Sequence, residues 1–527
     1  MIKYLFFVER EFHISLFENI INYISENNIG EIGILTLPFR KSKNGYASIG
    51  CRKDFLKKHI PEEFTFIENP YIYNPDVTFI ADSSYEKVEG LGEIVNIGHG
   101  TISKGSFYTS GHLSFRENCA NLLAVPGIIH KQILEKKVSV PIEVVGIPKL
   151  DHLFDNSLNK QTILKKMKLN FENKTVLFAP TFNKELSILT FLDLDLREII
   201  PEYFNIIIKL HGVVEDKYKD YFKKYAKVNP NIFYSENYNI SESFYVSDVL
   251  ISDVSSVIYE FLSTGKPVLL FDSPLQKEFK NYKNNDLEYV FRDVGFRFKN
   301  IRNIPELLFR TFTSPLKDYH EISQKFVSFY DGKSAKRVVE KSLELINEDN
   351  KNLMILIGVN NLDYFKAKYE NNFKIVILER GKSFNKFLSE KRESFKKFPY
   401  IIFMDSHFNY SPLFPTLLIQ HLRQNKNAKI VCSFNRKSGS TQNIEKYISE
   451  VKEISNERIG APLTYLYSGK EVNIDRFEQI AFAFNSSKVF EIIRKLDLDI
   501  FENWEHFLSK YDFKEKILAQ DCFLWKN

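Results

Sequence analysis

Short apolar runs rich in Val, Ile, Leu and Phe alternate along this chain with longer amphipathic segments. Examples of the runs are YLFFV, IGILTL, VTFIAD and EIVNIG near the start, and TVLFAPT, FNIIIKLH, DVLISD and KPVLLFD further on. Strands separated by helical stretches of this length predict parallel sheets built from β-α-β units. The chain is therefore expected to be an α/β protein.

The strand and helix pattern restarts twice, which predicts three successive α/β units. Two Rossmann-like units are expected at residues 1–155 and 156–348. The polar sequence NEDNKN at 347–352 then precedes a third, smaller α/β unit at 352–527. The length of 527 residues agrees with this division, because domains average roughly 150 residues.

The composition restricts the class of protein. Hydrophobic residues make up 44% and charged residues 26%, which are the proportions of a globular protein and not of a disordered one. The formal net charge of +5, from 72 basic and 67 acidic residues, is small for a nucleic-acid-binding protein, so no nucleic-acid partner is expected. The four cysteines have no CxxC spacing, which argues against a disulfide framework and against a cysteine zinc site.

The sequence does not predict insertion into a membrane. The N-terminal apolar run is broken at once by Glu9, Arg10 and Glu11, so it lacks the apolar region of a signal peptide. No run approaches the ~20 uncharged apolar residues that a spanning helix needs. Any membrane contact is therefore expected to be peripheral.

Two histidines directly follow predicted strands, one in each of the first two units. EIVNIG runs into His99-Gly100, and FNIIIKL runs into His211-Gly212. Ligands of open α/β sheets bind at the carboxyl ends of the strands, and histidine is suited to proton transfer near neutral pH. The glycines permit close approach of a substrate to the backbone. Each histidine alone is explained as well by a hydrogen-bonded turn, whereas the pair is typical of the two sides of one cleft.

The segment DVLISDVSSVIYEF, at residues 248–261, predicts a buried strand, a polar turn and the start of a helix. Ser255 and Ser256 lie at this turn, where hydroxyls and unpaired helix N–H groups suit a phosphate or diphosphate. Glu260 lies about one turn into the helix, where it is expected to accept ribose hydroxyls. An ordinary helix cap is the alternative explanation.

Five segments together resemble one enzyme family. HGTISKG, GIPKLD, LFAPTF, KLHG and DVLISDVSSVIYEF follow one another in the order and approximate spacing of the CDP-glycerol glycerophosphotransferases, which are polymerases and primases of wall teichoic acids and related capsules. The resemblance covers about residues 70 to 345 and implies a GT-B fold, a pair of Rossmann-like domains around a nucleotide cleft. The chain has His211-Gly212 where the family usually has His-Pro, and Val254 where an aromatic residue is frequent, which leaves the donor open.

The resemblance also implies roles for single residues. His99 would be the base for the acceptor hydroxyl, and His211 would stabilise the diphosphate leaving group. Phosphate and nucleotide contacts would come from Thr181, Ser255, Ser256 and Glu260, and acceptor contacts from Gly100 and Lys104. The donor would be CDP-glycerol or CDP-ribitol, and the acceptor a lipid-linked or oligosaccharide hydroxyl at the cytoplasmic, inner face of the membrane. No metal would be required at this site.

The third unit resembles the GT-A glycosyltransferases in one motif. The strand in FPYIIFMDSHF ends at Asp405-Ser406-His407, where that family has Asp-x-Asp. Asp405 and His407 would together hold Mg²⁺ or Mn²⁺ on a sugar-nucleotide diphosphate. Glu505, in FENWEHF, is the candidate base of this unit. A degenerate unit kept for packing or for acceptor binding is the alternative.

Two other functions stay open at this point. Related GT-B enzymes that use CMP-sugars also carry a histidine motif and a Ser-Ser turn. One alternative is therefore a glycosyltransferase that uses a CMP- or UDP-sugar, with the third unit as the other half of a bifunctional protein. The second is a nucleotide-binding scaffold without turnover.

Overall fold

The first sheet in the computed structural model has seven strands, all of them parallel. The strands are β1 (Ile2–Val8), β2 (Gly30–Thr36), β3 (Phe64–Phe66), β4 (Val77–Ile80), β5 (Glu93–Asn96), β6 (Leu122–Val125) and β7 (Ile142–Val144), in the spatial order β3-β2-β1-β4-β5-β6-β7. The helices of this part are α1 (Ile14–Glu26), α2 (Lys53–His59), α3 (Pro70–Tyr73) and α4 (Ile128–Leu134).

The second sheet has six parallel strands in the order β10-β9-β8-β11-β12-β13. They are β8 (Lys174–Phe178), β9 (Phe204–Ile208), β10 (Ile232–Tyr234), β11 (Val249–Ser252), β12 (Val268–Phe271) and β13 (Phe296–Phe298). Its helices are α5 (Lys160–Lys166), α6 (Leu196–Ile199), α7 (Asp216–Val228), α8 (Ser241–Val246), α9 (Val257–Leu262), α10 (Leu287–Val290), α11 (Ile304–Thr313), α12 (Tyr319–Gln324) and α13 (Ser334–Ile346).

The third sheet is mixed, with the order β15-β14-β16-β18-β17-β19. Its strands are β14 (Asn352–Ile357), β15 (Phe373–Leu378), β16 (Tyr400–Asp405), β17 (Ile430–Arg436), β18 (Phe477–Asn485) and β19 (Leu518–Asp521), and helix α14 (Leu362–Tyr369) lies between the first two. Strand β18 runs antiparallel to both of its neighbours, β16 and β17. The expected α/β class is confirmed, whereas the GT-A-like identity of this part remains a prediction.

The structure describes residues 1–346 except 41–48, 61–63, 83, 89–90, 102–116, 118–119, 137, 139, 193–194, 213, 281, 285 and 314–317. Further along, it describes 351–358, 362–370, 373–379, 387, 390–391, 394–395, 398, 400–405, 419, 430–436, 477–485 and 518–521. No helix in these ranges is both long enough and apolar enough to cross a membrane.

Both faces of the first sheet are buried. Along β1, Phe6 and Val8 enter one hydrophobic cluster, whereas Leu5 and Phe7 enter another. The strands of the second sheet are divided between two clusters in the same way. Parallel strands covered on both faces are mostly apolar, so polar residues are concentrated in the segments that follow the strands. This explains why the candidate site residues lie at the edges of the sheets.

Helix α13 returns the chain from the second sheet to the first. Its residues Val338 and Val339 pack in the same cluster as Phe6. The carboxylate of Asp151 caps its first turn, accepting hydrogen bonds from the backbone N–H groups of Ser334 at 2.9 Å and Ala335 at 2.8 Å. The two sheets are therefore joined both by the chain near Asp151 and by α13.

Candidate functional site

The carboxyl edges of the first two sheets face each other across direct contacts. Thr101, just past β5, donates its hydroxyl to the Ser256 carbonyl oxygen at 2.9 Å. The Tyr238 hydroxyl, past β10, is 3.4 Å from a carboxylate oxygen of Glu11, past β1. Parallel sheets bind ligands at this edge. The candidate site is therefore the region between these two rows of strand ends.

His99 lies on a turn shaped by two glycines with positive φ, Gly98 at 62° and Gly100 at 141°. Its Nδ1 atom is 3.5 Å from Oδ1 of Asp82, which follows β4. The His99 side chain is 38% exposed, so the ring is accessible. With Nδ1 directed at a carboxylate, Nε2 is the nitrogen available to accept a proton from a substrate.

The pKa values of Asp82 and His99 are shifted in opposite directions. Burial alone would raise the pKa of Asp82, but the hydrogen bond and positive charge of His99 outweigh it and hold that pKa well below its usual range. Burial alone would lower the pKa of His99, but the hydrogen bond and charge of Asp82 outweigh it, so the pKa is raised. Asp82 thus makes His99 a stronger base than an isolated imidazole.

A second histidine, His13, contacts the same carboxylate from the other side. Its Nε2 atom is 3.8 Å from Oδ2 of Asp82, and its side chain is 1% exposed. Burial lowers the pKa of His13 to about 4, although the charge of Asp82 opposes this. Neither ring nitrogen has a hydrogen-bond partner among the described residues. His13 is therefore neutral at physiological pH.

The serine turn packs directly against the histidine turn. A Cβ atom on Gly100 would lie 2.6 Å from Oε1 of Glu260 and 3.4 Å from Oγ of Ser256. Ser255 Oγ accepts a weak hydrogen bond, at 3.4 Å, from the backbone N–H of Val257, the first residue of α9. Gly100 therefore permits close contact between the two sheets, in addition to the acceptor contact predicted from sequence.

Glu260 forms an ion pair with a lysine from the first part of the chain. Lys149 Nζ lies 2.9 Å from its Oε1 and 2.8 Å from its Oε2. The side chains are 15% and 2% exposed, respectively, so this ion pair is largely shielded from water. Contact of Glu260 with a ribose stays a prediction, and the contact seen in the structure is the bridge to Lys149.

Thr181 is held in place by a carboxylate that follows β11. Its backbone N–H lies 2.9 and 3.1 Å from the two carboxylate oxygens of Asp253. The same carboxylate accepts from the N–H groups of Ile188 at 3.1 Å and Val254 at 2.7 Å. Asp253 is completely buried and therefore fixes the loop after β8 against the serine turn.

His211 and Lys209 lie at the end of β9. His211 is exposed, and its ring centroid is 4.8 Å from that of Phe182, the residue after Thr181. Burial lowers the pKa of Lys209 to about 8, and a weaker interaction with Glu236 opposes the shift. The ammonium of Lys209 forms no ion pair with any described carboxylate, so it is available to an anionic ligand.

The predicted site residues that the structure describes in the first two units lie close together, each near the next. His99 and Gly100 adjoin Ser256 and Glu260, Asp253 joins the serine turn to Thr181, and Phe182 joins Thr181 to His211. Lys104, His407 and Glu505 lie outside the described residues. Asp405 is the last residue of β16, at the carboxyl end of a central strand of the third sheet.

Metal binding by the third unit stays a prediction. Within the described ranges, no three His, Cys, Asp or Glu side chains are grouped so as to hold a metal ion. His407, the proposed partner of Asp405, lies outside the described residues.

Sequence analysis did not identify Asp82, His13, Asp253 or Lys149 as site residues. A signal existed for Asp82, since it directly follows the predicted strand VTFIA, as His99 follows EIVNIG. Asp253 directly follows the predicted strand DVLIS, but a functional role was predicted only for the nearby serines Ser255 and Ser256. Lys149 lies in the segment GIPKLD, but nothing in the sequence indicated its pairing with Glu260, which is 111 positions away.

The fold of this chain is similar to that of a solved bacterial enzyme structure. A solved structure of a variant of the wall teichoic acid polymerase TagF superposes with a TM-score of 0.50 at 17% identity, covering 65% of this chain and 88% of that one. The two proteins therefore share a fold. Together with the two facing parallel sheets, this confirms the GT-B-like architecture expected from the sequence.

The resemblance to one family is confirmed over part of the chain. The sequence model of the CDP-glycerol:poly(glycerophosphate) glycerophosphotransferases matches residues 109–344. A teichoic acid poly(glycerol phosphate) polymerase of Bacillus spizizenii is 24% identical over 216 residues, which are 38% of this chain and 52% of the relative. A teichoic acid ribitol-phosphate primase of the same organism is 24% identical over 230 residues, 41% of this chain and 56% of the relative. The chain thus spans about half the length of these relatives.

Proposed function

We propose that the protein transfers an alditol phosphate from CDP-glycerol or CDP-ribitol to an acceptor hydroxyl during synthesis of a teichoic-acid-like polymer. The observation that carries this proposal is that the turn of His99, which is paired with Asp82, contacts the serine turn through Gly100 and Thr101. The serine turn lies within residues 109–344, which match the glycerophosphotransferases. A base and a phosphate-binding turn side by side are what such a transfer needs.

In the proposed reaction, Nε2 of His99 removes the proton of the acceptor hydroxyl. The oxygen then attacks the β-phosphorus of the donor, and a new phosphodiester bond forms. The bond between the β-phosphorus and the oxygen bridging to the α-phosphate breaks, so CMP leaves with the bonding electron pair. Asp82 stabilises the imidazolium that results, because its carboxylate faces Nδ1 at 3.5 Å.

Negative charge develops on the departing CMP and requires donors on the second sheet. The hydroxyls of Ser255 and Ser256 and the exposed ring of His211 are the proposed groups, with the Thr181 hydroxyl as a further donor. Lys209 adds a positive charge that no described carboxylate neutralises within ion-pair distance. These groups supply the charge stabilisation without a metal ion.

The proposal also includes the type of acceptor and the place in the cell where the transfer occurs. A lipid-linked or oligosaccharide acceptor would bring the protein to the inner face of the membrane by peripheral contact. The polymer made is of the teichoic acid type or a related capsule.

One observation favours a second candidate donor. Gly212 stands after His211 where the glycerophosphotransferases usually have proline, and Val254 stands where an aromatic residue is frequent. Both positions adjoin groups assigned to the diphosphate, so the donor pocket differs from that of the family. A CMP- or UDP-sugar is therefore the alternative donor, and a scaffold without turnover is the alternative to any transfer.

The test is a donor panel with the full-length protein. CDP-glycerol, CDP-ribitol, CMP-sugars and UDP-hexoses are each incubated with an acceptor, and the product is analysed by mass spectrometry. We expect an increase by one or more whole alditol phosphate units, and only with a CDP-alditol. Transfer of a sugar from a CMP- or UDP-sugar would replace the proposal, and absence of transfer from every donor would favour the scaffold.

The third unit is proposed to act separately, with Asp405 at a metal-dependent sugar-nucleotide site. Asp405→Ala should then remove a Mn²⁺-dependent activity and leave the CDP-alditol reaction unchanged. If Asp405→Ala alters neither reaction, the unit serves packing or acceptor binding. Loss of the CDP-alditol reaction would mean that both parts share one site.

A further inference from the structure

Arg10, at the carboxyl edge of the first sheet, forms no ion pair with any carboxylate that the structure describes. Its Nε atom is buried and has no hydrogen-bond partner among the described residues. Among the other arginines with described side chains, Arg40, Arg302 and Arg310 are exposed. The rest form an ion pair with a carboxylate or a hydrogen bond to a carbonyl oxygen. Arg10 is therefore an exception among them, being neither exposed nor paired.

The acidic neighbours of Arg10 in the sequence are neutralised elsewhere. Glu9 accepts from Lys87 Nζ at 2.7 Å and from the Ser84 hydroxyl at 2.6 Å. Glu11 forms a two-pronged pair with Arg52, at 2.6 and 3.2 Å. Local pairing thus satisfies both carboxylates, and Nε of Arg10 stays unpaired among the described residues.

Asp82 lies near Arg10 but does not neutralise it. The charge of Arg10 contributes to the lowered pKa of Asp82, but the two side chains are not within ion-pair distance. The oxygens of Asp82 face His99 at 3.5 Å and His13 at 3.8 Å. A partly buried guanidinium with unmet hydrogen bonds is costly unless an anion pairs with it.

The position of Arg10 relative to His99 suggests which anion this is. Arg10 follows β1, Asp82 follows β4 and His99 follows β5, and these strands are consecutive in the sheet. Strands two places apart are separated by about 10 Å. That span accommodates one alditol unit between a hydroxyl at His99 and an anionic group at Arg10. The serine turn assigned to the donor lies on the opposite sheet.

We infer that Arg10 binds the phosphate of an acceptor that ends in an alditol phosphate and so selects this acceptor over a neutral one. This inference rests on the proposed function of the same site. Guanidinium groups suit phosphate because their planar fork donates two parallel hydrogen bonds. Arg10 is thus an acceptor-binding residue that distinguishes a phosphate-ended acceptor from a neutral one.

The test compares two acceptors with the full-length protein. One ends in an alditol phosphate and the other in a neutral sugar, with the same CDP-alditol donor. We expect Arg10→Gln to lower kcat/KM for the phosphate-ended acceptor by about 10- to 100-fold. Arg10→Lys should lose less, and in both variants the loss with the neutral acceptor should be much smaller than with the phosphate-ended one, with no rise in the donor KM. Arg302→Gln, at an exposed arginine, is the control and should change neither.

Three outcomes would overturn the inference. An equal loss with both acceptors would make Arg10 a general structural residue. A raised donor KM would place the donor diphosphate at the guanidinium. No loss with either acceptor would exclude a binding role.

A direct binding measurement separates this inference from the proposed function. Titration calorimetry with a glycerol phosphate oligomer, in the absence of donor, should show binding that Arg10→Gln weakens at least about 10-fold. If no cytidine donor reacts but this binding persists and depends on Arg10, the proposed reaction fails and the anion site stands. If the oligomer binds equally well to wild type and Arg10→Gln, the anion site is wrong.

Discussion

Oδ1 of Asp82 lies 3.5 Å from Nδ1 of His99, and the two residues follow neighbouring parallel strands. The alignment of β4 with β5 brings the two strand ends together, and the short turns that follow them place the carboxylate beside the imidazole. The raised pKa of His99 and the lowered pKa of Asp82 both follow from this contact, against the opposing effect of burial. Asp82 is the positioning residue for the proposed base.

Replacing the carboxylate of Asp82 is expected to slow the reaction and change its pH dependence. Asp82→Asn should lower kcat roughly 10- to 100-fold, because the imidazolium loses its charge partner. The pKa of His99 should fall, since the Asp82 charge is what raises it, so the acidic limb of kcat/KM moves to lower pH. A pH–rate profile measures both effects. A lower kcat with an unmoved acidic limb would mean that Asp82 acts only through structure.

The ion pair between Lys149 and Glu260 is expected to stabilise the junction of the two sheets. Glu260→Gln leaves a largely buried ammonium without its counter-ion, which costs about 3–5 kcal/mol of unfolding free energy. The double variant Lys149→Met with Glu260→Gln should recover part of the loss. Urea denaturation of the full-length variants measures these differences.

An exposed pair provides the matched control for that experiment. Lys166 and Glu242 lie 2.9 Å apart, with side chains 65% and 30% exposed. Glu242→Gln should cost no more than about 1 kcal/mol, because water screens this pair. Equal losses for Glu260→Gln and Glu242→Gln would contradict the structural role assigned to the buried pair.

The buried neutral His13 should make the protein less stable in mild acid. Its pKa is about 4 in the folded protein and near 6.5 when exposed, so the unfolded chain binds more protons between these values. The contribution of His13 to stability is therefore complete above about pH 6.5 and is lost as the pH falls toward 4. Between pH 7 and pH 5 this loss is about 2 kcal/mol.

Substitution of His13 separates its contribution to the pH dependence of stability from that of a second buried histidine, His130. Burial also lowers the pKa of His130 to about 4, so His130 should contribute a similar loss. Denaturation at pH 7 and pH 5 should show that His13→Leu removes about half of the combined effect, and His130→Leu the other half. An unchanged pH dependence in His13→Leu would show that the ring is protonated in the folded state.

The sequence was sufficient to predict the α/β sheets and to place the candidate site residues at strand ends. Runs such as YLFFV are apolar at every position because both faces of β1 are covered, and this pattern is local. Likewise, His99 and Ser256 were placed at strand ends by the residues next to them, and the structure brings their turns into contact. Such features depend on neighbours in the sequence, so periodicity and motifs reveal them.

Contacts between distant segments could not be predicted in this way. Glu260 was assigned to a ribose because its helix begins at a phosphate-type turn, whereas its observed partner, Lys149, comes from the other sheet. The return of α13 to the first sheet depends on a cap from Asp151, which is 183 positions away from Ser334. A single sequence contains no periodic signal for pairings of this kind.

Stoichiometric transfer that depends on His99 is the most direct test of the central claim. Full-length wild type, His99→Gln and the exposed-site control His152→Gln are incubated with CDP-glycerol or CDP-ribitol and an acceptor, and both CMP release and product mass are measured. The account predicts one alditol phosphate added per CMP released by wild type and His152→Gln, and a rate at least about 100-fold lower for His99→Gln. A His99→Gln variant that transfers at the wild-type rate, or CMP release without a gain in acceptor mass, would contradict it.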